Sequence, residues 1–344
     1  MVVYIYPVQT AFTQRDVDML QTKHKVKCLA FTQSPILLPI YFLIQFFQLL
    51  LLLPKTKTYL CFFGGYHTVI PVWFGGLFGI KVLIQAGGTD AVHMPSIGYG
   101  NFRKKWLKMA TVYSFKNCTK ILSVADSLIG YDYTYDEQIE TKQGLKNLIP
   151  DLQTPIEVVY NGFDVDFWKD FNSERIPNSF ITVAKGISNS TRAKIKGIDL
   201  IEKLALAFPE FHFTILGDST YTTKAKNIQI IPASQPEQLR QILNQHIFYL
   251  QLSTSEGFPN ALAEAMLCGC IPIGSAVGDI PAIIGTSGRI LSKKDFTKLK
   301  ALILDLTQTH DLKSKRHQAR QRIVEHYSYD KRKEALLSQL SCSS

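Results

Sequence analysis

Short apolar runs rich in β-branched and aromatic residues alternate with helical stretches along the chain, the pattern of parallel sheets built from βαβ units. Two series are present. In the first half the predicted strands are Val2 to Tyr6, Val26 to Phe31, Tyr59 to Phe63, Lys81 to Gln85, Lys120 to Val124 and Glu157 to Tyr160. In the second they are Phe180 to Ala184, Phe211 to Leu216, Ile228 to Pro232, Ile247 to Gln251 and Cys270 to Ile273. Between the series, Phe163 to Ser179 is polar and aperiodic and reads as an interdomain linker. The fold class expected is α/β, with two Rossmann-like domains facing each other. Their boundaries are 1–163, a linker over 164–179, a second domain over 180–326, and a closing helix over 327–344, where Tyr327 to Leu340 mixes charged and apolar residues at helical spacing.

One segment departs from this alternation. Ile36 to Leu53 is 18 residues without a charge, close to the length that spans a bilayer. Pro39, Gln45 and Gln48 interrupt it, and Lys55 and Lys57 lead straight into another strand. We read it as a helix of a soluble domain with one face on lipid, ahead of a true span. The chain opens directly on a strand, without the basic region or cleavage site of a signal peptide, so a cytoplasmic protein is expected.

With 38 basic and 28 acidic residues the net charge is +10, which favours anionic partners. The excess is spread over both halves, 16 against 13 up to residue 172 and 22 against 15 after it, so neither half is a basic arm. Arg103-Lys104-Lys105 comes with no nucleic-acid motif, and no nucleic-acid partner is expected. Combined with Ile36 to Leu53, however, the basic run through Lys108 fits reversible docking on an anionic membrane surface. The six cysteines, Cys342 among them, form no Cys-x-x-Cys pair and support neither a zinc site nor a redox motif.

The stretch from Ser255 to Met266 (SEGFPNALAEAM) carries the most chemistry. It follows a predicted strand, and its Gly and Pro mark a loop entering a helix, with Pro near the first turn where a missing N–H costs nothing. Glu256 then belongs to the loop and Glu264 to the helix, so two carboxylates can reach different hydroxyls of one ligand. Ala261, Leu262, Ala263, Ala265 and Met266 surround Glu264, which implies a buried helix bearing a carboxylate in need of a partner.

This stretch resembles the signature E-(G/S)-F-P-N-x-x-x-E of the retaining GT-B glycosyltransferases known as family four, within the group one glycosyl transferases. The resemblance implies a GT-B architecture, with Glu256 beside the donor sugar and Glu264 on the ribose hydroxyls of the nucleotide. It also implies backbone donors from Gly257, Phe258, Pro259 and Asn260 to the sugar and diphosphate. Upstream, Val183-Ala184-Lys185-Gly186 and Ile195-Lys196-Gly197 are similar to the family's two diphosphate-binding segments, which gives Lys185 and Lys196 the diphosphate clamp and places Gly186 beside the nucleotide. Ala282 stands where an acidic residue is common.

The first half is less similar. Gly87-Gly88-Thr89-Asp90 occupies the place of the family's His-Gly-x-Asp, which leaves Asp90 as a candidate for an acceptor or sugar hydroxyl and gives His93 only local hydrogen bonds. Two Asp-Val-Asp triplets, Asp16 to Asp18 at a helix start and Asp164 to Asp166 in the linker, are read as structural. No metal and no cofactor are therefore expected.

The function implied is a retaining, metal-independent glycosyltransferase of polysaccharide synthesis, expected to be a hexosyltransferase. It would move a sugar from a nucleotide-sugar donor to a glycan or lipid-linked saccharide acceptor. A non-catalytic nucleotide-sugar-binding subunit of the same fold, and a same-fold epimerase or phosphorylase, remain alternatives.

Overall fold

A computed structural model describes residues 1–232, 234–309 and 311–341. The chain divides into two units: Met1–Asp132 with Lys142–Tyr160 and the chain from Asp330 onward, and Tyr133–Thr141 with Asn161–Tyr329.

The first unit runs β1 (Val2–Tyr6), α1 (Ala11–Gln21), β2 (Val26–Ala30), α2 (Leu38–Leu52), β3 (Thr58–Phe62), α3 (Val69–Phe78), β4 (Lys81–Ala86), α4 (Lys105–Asn117) and β5 (Lys120–Ser123). A short antiparallel pair, β6 (Tyr131–Asp132) and β7 (Lys142–Gln143), the single turn α5 (Leu145–Leu148) and β8 (Ile156–Val158) complete it. The six-stranded sheet is parallel, in the order β2-β1-β3-β4-β5-β8. Parallel crossovers are right-handed. The step from β1 to β2 runs toward one edge and the next three toward the other, so α1 covers one face and α2, α3 and α4 the opposite face.

This topology decides what the apolar segment is. Val2 of β1 pairs with Val26 on one side and Thr58 on the other, so β2 and β3 flank the same strand in parallel. A bilayer span between them would put the two strands on opposite sides of a membrane. The segment is instead the crossover helix α2, anchored by buried Gln45, whose Nε2 donates to the carbonyl of His67 at 2.9 Å.

The second unit contains β9 (Ser179–Val183), α6 (Ser190–Ile195), α7 (Ile198–Ala207), β10 (His212–Leu216), β11 (Ile228–Ile231), α8 (Pro236–Asn244), β12 (Phe248–Gln251), α9 (Asn260–Leu267), β13 (Ile271–Ser275), α10 (Ile280–Ile284), β14 (Arg289–Leu291), α11 (Phe296–Thr307) and α12 (Leu312–His326). Its sheet is also parallel, in the order β11-β10-β9-β12-β13-β14. Phe180 lies in register with Phe213 and Phe248 on the neighbouring strands, and the three rings stack at 5.2 and 4.8 Å. That aromatic ladder fixes strand register at the centre of the sheet.

Two boundaries differ from the sequence reading. The stretch 164–179 is largely exposed but is anchored onto the second unit through buried Trp168 and Arg175. Asp164 Oδ1 accepts from the backbone of Asp166 and Phe167, Trp168 is buried, and Arg175 is buried with its guanidinium on Asp170 and on the carbonyls of Cys268 and Leu243. Arg316 of α12 grips the same Asp170 at 2.7 and 2.8 Å. The closing helix, α13 (Tyr329–Ser341), belongs to the first unit from Asp330 onward, whereas α12 before it belongs to the second. Cys342 lies outside the described residues.

Arg332 of α13 meets Asp16 through two 2.8 Å bonds, and Asp16 also accepts from Gln85 Nε2 at 2.8 Å and from the Tyr4 hydroxyl at 3.2 Å. Asp16 therefore sits in mid-helix as a buried ion-pair partner, not at a helix start in favour with the macrodipole. Burial and the neighbouring Asp16 carboxylate push the Tyr4 hydroxyl well above its ordinary pKa.

Candidate active site

In the second sheet the chain leaves β9 toward β10 and β11, then returns to β12 on the other side of β9. Loops leaving the carboxyl ends of β9 and β12 diverge in opposite directions, and the crevice between such loops is where open α/β sheets bind ligands. Lys185 and Gly186 follow β9, and the segment Leu252 to Asn260 follows β12. Lys196 caps the carboxyl end of α6.

Within this crevice Lys196 Nζ forms an ion pair with Glu256 Oε1. The same carboxylate oxygen accepts from Ser253 Oγ at 3.1 Å and Gln251 Nε2 at 3.2 Å, while Gln251 Nε2 also donates to Ser253 Oγ at 2.8 Å. Tyr249, fully buried beneath, directs its hydroxyl to Gln251 Oε1 at 3.3 Å. Glu256 is thus held from below by a buried polar chain, yet its side chain remains 15% exposed and that of Lys196 30%. Such support fixes a charged pair in one orientation at a water-accessible surface.

The backbone brings the two residues together. Thr254 N donates to the Ile195 carbonyl at 2.7 Å and Thr254 Oγ1 to that of Lys194 at 3.1 Å, tying the loop after β12 to the end of α6. Gly197, at φ +67°, abuts the carbonyl of Leu252, and Gly278, at φ +55°, abuts that of Glu256. Any side chain at either glycine would collide with backbone and would also strain φ.

The remaining candidates behave differently. Glu264 lies on α9 and is half-buried; its neighbours Leu262, Ala263, Ala265 and Met266 are buried, but the carboxylate is not fully enclosed as the surrounding residues implied. Lys185 is exposed and is not joined to Lys196 and Glu256. Gly186, at φ +70°, lies under the side chain of Arg192, a nearby cation that sequence reasoning did not single out. Phe258 is buried against Phe163 and Tyr327, with ring centroids at 5.9 and 5.1 Å, so its side chain packs the loop. Pro259 carries no N–H and cannot be a backbone donor. Gly257 offers its carbonyl to Asp279 N at 3.2 Å, and Asn260 Oδ1 accepts from Asn161 Nδ2 at 2.7 Å.

In the first unit, Asp90 has no exposed surface. Its carboxylate accepts from the backbone N–H of Gly64 at 2.8 Å, Gly88 at 2.9 Å and Gly87 at 3.1 Å. Those bonds tie the loop after β4 to the loop after β3, so the expected contact with an acceptor gives way to a structural role. Burial pushes Asp90 up to about 6, against the three N–H donors that pull it down. His93 exchanges main-chain bonds with the side chain of Gln143, fifty residues on, at 2.9 and 2.8 Å, and its ring Nδ1 is buried without a hydrogen-bond partner, so the expected local hydrogen bonds are not what holds it. Among the described residues no three His, Cys, Asp or Glu gather as a metal-binding group.

The segment holding Lys196, Glu256 and Glu264 can be compared with known families. Residues 187–309 match the family model Glycosyl transferases group 1. The second unit thus carries a group 1 glycosyl transferase domain, and the expectation of a glycosyltransferase enzyme rests on this domain. Lys185 and Gly186 lie just outside the matched span. No curated protein sequence matches the chain.

Solved structures extend the likeness to both units. HepE of Anabaena, in complex with UDP-glucose, aligns over 100% of both chains at 11% identity with a TM-score of 0.72. Sucrose-phosphate synthase of Thermosynechococcus elongatus aligns over 100% of both chains at 12% identity and 0.75. The pneumococcal O-GlcNAc transferase GtfA, in complex with UDP and GlcNAc, aligns over 87% of this chain and 59% of its own at 21% identity and 0.63. At these identities the likeness establishes the fold: two α/β units with parallel sheets, as in GT-B glycosyltransferases.

Proposed function

We propose that the protein is a retaining glycosyltransferase that takes a hexosyl group from a nucleoside diphosphate sugar and delivers it to a glycan or lipid-linked saccharide, without a metal ion. The observation that carries this reading is the Lys196–Glu256 pair, set at the switch point of the glycosyl transferase domain and supported by Ser253, Gln251 and Tyr249. As the bond between the anomeric carbon and the diphosphate oxygen breaks, negative charge collects on the diphosphate. Lys196 is suited to stabilise that charge, with exposed Lys185 of the loop after β9 as a second candidate cation. The departing phosphate oxygen takes the acceptor's proton, and the new bond forms on the face that oxygen leaves. Glu256 orients a sugar hydroxyl, and Glu264 holds the ribose hydroxyls. That UDP accompanies the related structures of HepE and GtfA supports a nucleotide donor of this class.

The test is a panel of nucleotide sugars screened by thermal shift, followed by turnover of the best binder. A ligand at 100 times its dissociation constant adds about 2.7 kcal/mol to stability, easily seen as a raised melting temperature. Transfer of the sugar in excess EDTA is the expected result. Binding without turnover for any acceptor favours the non-catalytic subunit, and activity lost on chelation and restored by magnesium or manganese overturns the metal-free mechanism.

A further inference from the structure

The helical layer α2–α3–α4 of the first unit is apolar on the side away from the sheet. Of the residues in α2 only Gln45 and Leu49 are buried, and Ile40, Leu43, Phe47 and Leu51 are 54 to 80% exposed. The surface continues onto α3, where Trp73, Leu77 and Phe78 are exposed, and α4 adds Trp106 and Met109. Phe46 joins the first two helices by packing on Trp73 and Phe74. A contiguous apolar surface of this kind marks an interaction site in a soluble fold.

Charge identifies the occupant. Between Met19 and Ala125 the chain has twelve Lys and Arg and a single acidic residue, Asp90, which is buried. The exposed run Arg103-Lys104-Lys105 and Lys108 stand at and beside the start of α4, next to Trp106, and Lys55 follows α2. Cations therefore outnumber carboxylates around the apolar surface, where exposed Asp151 is paired with Lys116 at the far end of α4. A second copy of the chain docking by the same face would bring like charges together, whereas a bilayer containing anionic phospholipid satisfies both the apolar surface and its cations. Because α2 is the crossover between β2 and β3, it can lie in the interface but not span it. We infer that the outer face of α2, α3 and α4 seats on an anionic membrane, with Trp73 and Trp106 inserted at headgroup depth. This docking is independent of the sugar-transfer reading and stands or falls separately from it.

The experiment uses the full chain with vesicles of phosphatidylcholine alone or with phosphatidylglycerol. Trp73 and Trp106 lie on the proposed face, and the third tryptophan, Trp168, is buried in the second unit. Anionic vesicles should co-float the protein, shift its tryptophan emission to the blue, and quench it when brominated acyl chains are used. The double variant Trp73→Phe/Trp106→Phe should float equally well with the quenching gone. Binding should fall about tenfold or more in Lys104→Gln/Lys105→Gln/Lys108→Gln, and on raising salt. The triple variant Leu43→Gln/Phe47→Gln/Leu51→Gln alters only exposed or half-exposed side chains, so it should melt like the wild type yet fail to float. Equal flotation with neutral and anionic vesicles, or no flotation with either, overturns the inference. So does a lipid-free dimer in sedimentation velocity that the α2 triple variant converts to monomer.

Discussion

The two units share a parallel architecture, yet Asp16 and Asp90 of the first are buried while Glu256 and Glu264 of the second are partly exposed. In the first, Asp16 and Asp90 have no exposure: one is spent on Arg332, Gln85 and Tyr4, the other on three backbone N–H groups. In the second, Glu256 and Glu264 stand partly in water, and the partner of Glu256 is a lysine at the mouth of a crevice. Asp90 and Glu256 both follow a parallel strand and both lie in Gly-containing loops. Position after a strand therefore does not set a carboxylate's surroundings; both Asp90 and Glu256 accept three hydrogen bonds from within the fold, and what separates them is exposure, none for Asp90 and 15% for the Glu256 side chain.

The sharpest way to break this contrast is Arg332→Ala, which strands the Asp16 charge in the interior and should cost about 3–5 kcal/mol. Hydrogen exchange should show the loss in α1 and β1 of the first unit. If β12 loosened as much, the contrast between the units would fail.

Next comes Lys196→Ala, the mirror case. It should reduce saturated turnover on the order of 100-fold while leaving the unfolding midpoint within about 0.5 kcal/mol of wild type. Wild-type turnover at saturating donor would remove Lys196 from the leaving diphosphate.

Asp90 should reveal itself through pH. Its folded pKa, about 6, is raised above the ordinary 3.8, so the folded state holds the proton more tightly than the unfolded chain. The stability this contributes is full below the unfolded value, declines as pH rises, and is gone above about 6. Urea titrations should therefore show the wild type losing ground to Asp90→Asn between about pH 4 and 6, by on the order of 2 kcal/mol, with no further change to pH 8. A flat difference across that window would mean that Asp90 is not buried as the structure has it.

Smallest is Glu264→Ala. If the carboxylate holds ribose in ground and transition states alike, the Michaelis constant for the donor should rise about tenfold, with saturated turnover little changed. A fall in turnover without a change in binding would reassign Glu264 to the transition state.

Much of this fold is legible in the chain because buried parallel strands are short apolar runs bounded by helices. The strands expected from Val2 to Ile273 all occur, their ends shifted by no more than two residues. Missed were β14, only three residues long, and the two-residue pair β6 and β7, too short for periodicity to register. The stretch 164–179 is polar and mostly exposed, as a linker would be, but its anchor Arg175 finds its partners in distant parts of the second unit, which polar composition does not show. The Asp16–Arg332 pair, 316 residues apart in sequence, leaves no local trace. Glu256 and Lys196 were visible as motif positions, but Gln251 and Ser253 beneath them were not. The signal available was Gln251 itself, an amide closing the apolar run Ile247 to Leu250, which demands a hydrogen-bond partner in a buried strand.

The ion pair at the crevice also sets a threshold. Because the charge of Lys196 is paired with Glu256, an anion that takes the lysine gains only what it offers beyond that carboxylate. A singly charged ion such as chloride or acetate exchanges one charge for another and meets the Glu256 charge at close range. A diphosphate brings two or more charges spread over several oxygens, and can hold the lysine while the carboxylate turns to a neutral hydroxyl beside it. An ion pair of this kind therefore favours a multiply charged ligand over a single monoanion.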